Sequence, residues 1–283
     1  MIMTRFAAAL ALLGVLASPS FAARLGAATA ETVSFTSDGV MLRAILFRPP
    51  GSGPFPAVVA LHGCSGLYDP SGRLSLRHAD WAERLSEAGF MVLLPDSFGP
   101  RGAGSQCRTR DRVTRPSRER VADALAAKLY LQSRADVKAD AVSLLGWSNG
   151  GSTVLYAVQA GRRVGDGRPD FARAVAFYPG CRLVAERGGW HARLPLLILI
   201  GQADDWTPAE PCEDLARDAH AAGDPVSLVT YPRAYHDFDH HDLPVRTHGD
   251  LAYTAGGSGQ AHTGTDPKAR ADALSRVPGF LAR

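Results

Sequence analysis

A single serine between glycines is the residue in this sequence best placed for covalent chemistry. Gly146-Trp147-Ser148-Asn149-Gly150-Gly151 follows an apolar run over residues 141–145 and precedes a helix-like stretch over 152–159. Strand, tight turn and helix in that order lift a serine clear of a sheet, and flanking glycines let helix and strand approach closely. The helix N-terminus behind Ser148 aims backbone N–H groups and partial positive charge at any anion formed there. On its own, however, Gly-x-Ser-x-Gly is also an ordinary strand-to-helix turn, and its meaning depends on partners downstream.

A serine hydroxyl is a weak nucleophile and needs a base that a third group orients. One known chain order is nucleophile, acid, histidine, with the acid and the histidine each following a later strand. Asp204 or Asp205, after a strand-like stretch over 194–200, fills the first place, and His236, after one over 226–231, fills the second.

The elements that must hold these residues can be read in order. Residues 31–37 and 41–47 read as strands joined by Asp38-Gly39, a hairpin signal. The continuous apolar run 57–61 has the pattern of a strand buried on both faces, and it ends at His62-Gly63-Cys64. Helical spacing over 78–88 leads to another buried strand over 90–94. An irregular, arginine-rich stretch over 97–117 precedes a helix over 118–133. Strands over 174–177, 194–200 and 226–231, with helices over 210–222 and near 268–275, complete the alternation. Strand and helix in turn predict an α/β domain with a doubly wound, mostly parallel sheet and helices on both faces. Ligands bind such sheets at the carboxyl ends of the strands. The conspicuous polar clusters, at residues 62–64, Asp96, Ser148, Tyr178, Asp204 and His236, all fall there.

Composition bounds the rest. The chain has 283 residues, 46% of them hydrophobic, which suits one sizeable domain. A net charge of +3 gives no reason to invoke nucleic acid or an anionic membrane. Arg5, an apolar stretch over 6–17 and small residues at Ser20 and Ala22 form the pattern of a secretory signal peptide over 1–22. Cleavage after Ala22, or alternatively after Ala30, leaves a single domain over 23–283 with no further stretch long enough to span a membrane, exported to the periplasm or beyond. In an oxidising compartment Cys64, Cys107, Cys181 and Cys212 allow two disulfides in any of three pairings. Cys181 and Cys212 both fall at a strand end or the start of the next helix, so Cys181–Cys212 is the first choice and Cys64–Cys107 its complement. The arginines from Arg108 to Arg120 read as a solvated loop and helix start. The run from His236 to Asp242 finds no matching ligand cluster elsewhere, so no metal or cofactor is called for.

Taken together, the motifs make the sequence resemble the dienelactone hydrolase family of α/β-hydrolases over residues 31–283. The matching pieces are His62-Gly63-Cys64-Ser65-Gly66, Pro95-Asp96-Ser97-Phe98-Gly99, Gly146 through Gly150, Gly201 through Pro208, and Tyr231-Pro232 through His236. The resemblance implies cleavage of a small ester or lactone, with Ser148 as nucleophile, His236 as base and Asp204, rather than Asp205, as orienting acid. It implies an oxyanion hole from the backbone N–H groups of Cys64 and Asn149. Two departures stand out. The best-known members use a cysteine nucleophile where this chain has Ser148, and a glutamate that helps to activate it where this chain has Gly63. Of the arginines that hold a substrate carboxylate, Arg101 matches the first and His240 replaces the second. Arg101, Trp147, Trp206 and Tyr235, with Tyr178, are therefore candidates for the substrate pocket. A peptidase or acyltransferase could use the same triad, and a non-catalytic binding protein could keep the same fold.

Overall fold

The computed structural model describes residues 29–161 and 167–283, and the signal-like segment 1–22 lies outside them. β1 (Thr29–Ser37) and β2 (Val40–Arg48) form the expected hairpin. Asp38 and Gly39 both take positive φ, 44° and 77°, as a two-residue turn that follows the twist of its strands requires. β3 (Phe55–Leu61), α1 (Leu76–Glu87), β4 (Met91–Pro95), α2 (Glu119–Gln132), β5 (Val137–Trp147) and α3 (Asn149–Ala157) follow. Then come β6 (Ala174–Phe177), α4 (Arg182–Ala185), β7 (Leu196–Gly201), α5 (Glu210–Ala221) and β8 (Val226–Tyr231). A short antiparallel pair, β9 (Arg246–His248) and β10 (Ala261–Thr263), precedes the closing α6 (Pro267–Leu281).

The main sheet has the order β1-β2-β4-β3-β5-β6-β7-β8. β2 pairs antiparallel with β1 and β4, and every pairing from β4 to β8 is parallel. Successive residues of β4, β6 and β7 are all buried, and a strand that alternates its side chains can be so only when both faces are covered. The register aligns the strand ends: Leu61 pairs with Gly146, Trp147 with Phe177, and Gly201 with Tyr231. The loops after β3, β5, β6, β7 and β8 therefore open on one edge of the sheet.

Four elements differ from expectation, among them the four-residue α4, which is absent from the sequence reading. The last helix runs to Leu281, not to 275, because Ala273, Val277 and Leu281 keep one buried stripe through Pro278-Gly279. β9 and β10 are three residues each, too short for any periodicity to announce.

Candidate active site

Ser148 sits between β5 and α3 with φ 52° and ψ −112°, a conformation that costs a non-glycine residue about 1–3 kcal/mol. Its neighbours leave no room for side chains. A Cβ on Gly146 would lie 2.3 Å from the Gly150 carbonyl oxygen, and one on Gly150 would lie 2.1 Å from that of Leu61. The helix begins at Asn149, three residues earlier than its sequence pattern suggests, so the residue after the serine is the first of the helix. Its N–H is then one of the open donors at the helix start.

Asp204 and His236 meet at the next strand ends. Nδ1 of His236 lies 2.7 Å from Oδ2 of Asp204, with both residues buried. Oδ1 of Asp204 accepts from the amides of Trp206 and Thr207 at 2.9 and 2.8 Å, which fixes the carboxylate in plane. Thr207 Oγ1 lies 3.0 Å from Oδ2 of Asp204 and 3.0 Å from the Tyr178 carbonyl oxygen. Asp205 turns away to His262, accepting from its amide at 2.8 Å and facing its Nδ1 at 2.7 Å, so it pairs with β10 and does not cap the following helix. Rings flank the imidazole: Tyr178 at 4.4 Å and Trp206 at 4.9 Å between centroids. Burial by itself lowers the His236 pKa, but the Asp204 carboxylate, by charge and hydrogen bond, carries it above the ordinary histidine value. Asp237 adds to that rise and Arg77 opposes it.

Beneath the histidine lies a buried polar network that the sequence reading missed. Arg77 of α1 donates to Tyr178 Oη at 3.0 Å and bonds to Asp237. Tyr178 Oη donates to Asp239 at 2.6 Å, and the other oxygen of Asp239 accepts from the indoles of Trp81 and Trp147 at 2.7 and 2.8 Å. Burial is the largest single influence on Asp237 and raises its pKa, but the charge and hydrogen bond of Arg77 together with His236 outweigh it, and its carboxyl falls to about 2. Two acids of the His236–Asp242 run thus serve structure around His236. The signal for Arg77 was its place four residues before Trp81 and eight before Leu85, on the apolar stripe of α1.

Both disulfides expected from the sequence are present, Cys64–Cys107 and Cys181–Cys212. The first ties the loop after β3 to the arginine-rich loop, and the Gln106 amide adds a 2.7 Å bond to the Cys64 carbonyl oxygen.

A cavity of about 930 Å³ opens beside Ser148, lined by Cys64, Asn149 and Trp206 together with Val113, Leu183 and Tyr253. Four of the five expected pocket residues lie elsewhere, Tyr178 among them, fully buried with its ring on His236 and its hydroxyl on Asp239. Arg101 is bound to Asp123 of α2 through two bonds of 2.7 and 2.8 Å and to the Ser97 carbonyl oxygen, so its charge is spent inside the fold. Trp147 is fully buried, its indole N–H on Asp239 and its ring stacked on Phe177. Tyr235 packs its ring on His262 at 5.1 Å. Arg110, Arg112, Arg115 and Arg182 bring positive charge to the cavity instead. The reading of a solvated arginine run holds for the exposed Arg108, Arg110, Arg115 and Arg118 and fails for Arg112, which is half-buried, and Arg120, which is wholly buried.

This sheet order, elbow serine and strand-end acid–histidine pair define an α/β-hydrolase. The description of the Dienelactone hydrolase family matches residues 42–283, and the chain belongs to that family of carboxylic ester hydrolases. A Bradyrhizobium protein named probable 2-oxo-3-(5-oxofuran-2-ylidene)propanoate lactonase is 25% identical over 225 residues, covering 75% of this chain and 84% of its own. Among solved structures, a dienelactone hydrolase-like promiscuous phosphotriesterase from metagenomic libraries superposes with a TM-score of 0.67 at 21% identity, over 91% of this chain and 98% of its own. Thermogutta terrifontis esterase 2, phosphorylated by paraoxon, gives 0.61 at 19% identity, over 89% and 93%.

Proposed function

We propose that the chain hydrolyses a carboxylic ester or lactone through an acyl-enzyme on Ser148. His236 is the base, Asp204 orients it, and the backbone N–H groups of Cys64 and Asn149 form the oxyanion hole. The observation that carries this reading is the buried Asp204–His236 pair, 2.7 Å apart, which commits Nδ1 and leaves Nε2 as the proton acceptor. As Oγ bonds to the carbonyl carbon, the π pair moves onto the carbonyl oxygen and the hydroxyl proton passes to Nε2. Collapse of the adduct breaks the bond to the leaving oxygen, which takes that proton from His236. Water then repeats the sequence and frees the acid.

The cavity supports an ester with an apolar body and an anionic group. Val113, Leu183, Trp206 and Tyr253 offer apolar surface, and Arg110 and Arg182 offer cations. The similar lactonase is named for an anionic lactone, in keeping with this class. Two disulfides and the signal-like leader support export.

A fluorophosphonate probe tests the mechanism, a reagent class suggested by the paraoxon adduct of the Thermogutta esterase. Wild-type protein is expected to label and Ser148→Ala is not. Equal labelling of both, or of neither, refutes the serine mechanism. A panel of p-nitrophenyl esters and lactones, with and without a carboxylate, then tests the substrate class.

A further inference from the structure

Arg120, the second residue of α2, is completely buried. Its Nη1 donates to Oδ1 of Asn149 at 2.5 Å, and its guanidinium carbon lies 5.2 Å from the centre of the Phe98 ring. Neither Nε nor Nη2 reaches an acceptor among the described residues, and Nδ2 of Asn149 is likewise unpartnered among them. The acids close by are committed elsewhere. Asp123 gives both oxygens to Arg101 and one also to Ser37, and Asp96 gives Oδ1 to the amides of Phe98 and Gly99. Burial draws the Arg120 pKa down to about 9, with Asp123 opposing and Arg112 and Arg101 assisting, which still leaves it charged at neutral pH.

A buried cation with no bonded carboxylate is expensive, and folding alone would favour an apolar residue of similar size. Among the described residues, the one side-chain hydrogen bond that holds this cation runs to the residue after Ser148. We propose that Arg120 is a positioning residue for the oxyanion hole, its buried charge fixed behind Asn149 as the electrostatic counterpart of the oxyanion formed during attack by Ser148. The inference rests on the serine-hydrolase reading above. In the free enzyme no carboxylate is bonded to the charge among the described residues, and Asp123 and Asp96 act on it only through space; in the tetrahedral adduct a negative oxygen stands near the Asn149 amide. The cation is therefore better tolerated in the transition state than in the ground state, the condition for raising kcat without tightening substrate binding.

Three variants separate charge from packing. Arg120→Gln keeps a donor for Asn149 and loses the charge, Arg120→Lys keeps the charge, and Arg120→Met loses both. The glutamine and methionine variants are expected to lose about tenfold or more in kcat, with KM within about twofold, while lysine retains most of the rate. Affinity for a boronic-acid analogue of the adduct should fall with kcat, and that for an unreactive amide analogue of the substrate should not. The melting temperature of Arg120→Met is expected to equal or exceed that of the wild type, a combination that a merely structural arginine would not give. Where the methionine variant fails to fold, the glutamine and lysine pair decides. Wild-type kcat in Arg120→Gln, equal losses in glutamine and lysine, or losses that follow the melting temperature would each overturn the proposal. Should the wild type itself fail to label at Ser148, it is the serine-hydrolase reading that falls.

Discussion

Replacing Cys64 and Cys107 by serine removes a crosslink with a sequence separation of 43 residues, and Cys181 with Cys212 one of 31. In the chain-entropy account, loops of those lengths correspond to about 4.0 and about 3.7 kcal/mol, so the two double variants should lose nearly equal stability. For a domain of this size that is a fall in melting temperature of about 8–16 °C in each case. Activity should separate them. Cys64 carries a proposed oxyanion donor, and complete loss of such a donor costs about 2.7–4 kcal/mol, or roughly 100- to 1000-fold in kcat. The Gln106 amide still holds the Cys64 carbonyl oxygen at 2.7 Å, so the loop loosens without detaching. A kcat loss of about tenfold is therefore expected for Cys64→Ser/Cys107→Ser. Cys181 also lines the cavity but supplies no proposed donor, and Cys181→Ser/Cys212→Ser should change KM while kcat stays within about threefold. Thermal unfolding and steady-state kinetics on a p-nitrophenyl ester, well below both melting temperatures, measure the two effects separately. Equal kcat losses in the two variants would refute the assignment of Cys64. Melting temperatures unchanged in both would refute the loop-entropy estimate.

Asp204→Asn should lower kcat by ~10⁴ by favouring the wrong tautomer, and should shift the acid limb of kcat/KM below its wild-type position, which lies above the ordinary histidine value. The same raised pKa means that His236 stabilises the fold fully below its unfolded pKa and that this contribution fades as pH rises through the folded value; denaturant midpoints across that window in wild type and Asp204→Asn check the sign. Arg101→Met leaves Asp123 buried with only Ser37 on one oxygen and should cost about 3–5 kcal/mol in urea unfolding, with KM unchanged. Gly150→Ala drives a Cβ to 2.1 Å from a backbone oxygen, and a loss of about 3 kcal/mol with collapse of Ser148 labelling is expected; normal labelling would contradict the close approach at the elbow.

The parallel sheet was legible because its strands are short apolar runs bounded by glycine and polar residues, and buried parallel strands have no other signature. Ser148, Asp204 and His236 were legible because chain order and strand ends restrict where such groups can lie. Arg77 and Arg120 were not, since an arginine in a helix is usually solvated. Yet both lie on apolar stripes: Arg77 with Trp81 and Leu85, Arg120 with Ala124, Ala127 and Leu131. A charge in register with a buried stripe predicts burial, and hence a polar partner, though not which one; Asp237 is 160 residues from Arg77. Arg101 misled for the opposite reason. Its loop follows the carboxyl end of β4, on the edge of the sheet where ligands bind, but Asp123 holds its side chain inside the fold.

The serine and the missing carboxylate at Gly63 belong to one design. A Cβ on Gly63 would stand 3.6 Å from the Ser148 Cβ and 3.8 Å from Nη2 of Arg77, ordinary contact distances, so an acid here would lie directly against the proposed nucleophile. A thiolate can be prepared before substrate arrives, and a nearby acid can help to make it. A serine loses its proton only during attack, when a fixed negative charge alongside would oppose the developing oxyanion. Without that acid, the base must be set by the groups packed on His236 alone. Asp204 and Asp237 raise its basicity and Arg77 lowers it, while the Tyr178 hydroxyl joins Arg77 to Asp239. In the proposed mechanism the buried network would do for the histidine what a second carboxylate would do for a cysteine: set the proton affinity of the reacting pair.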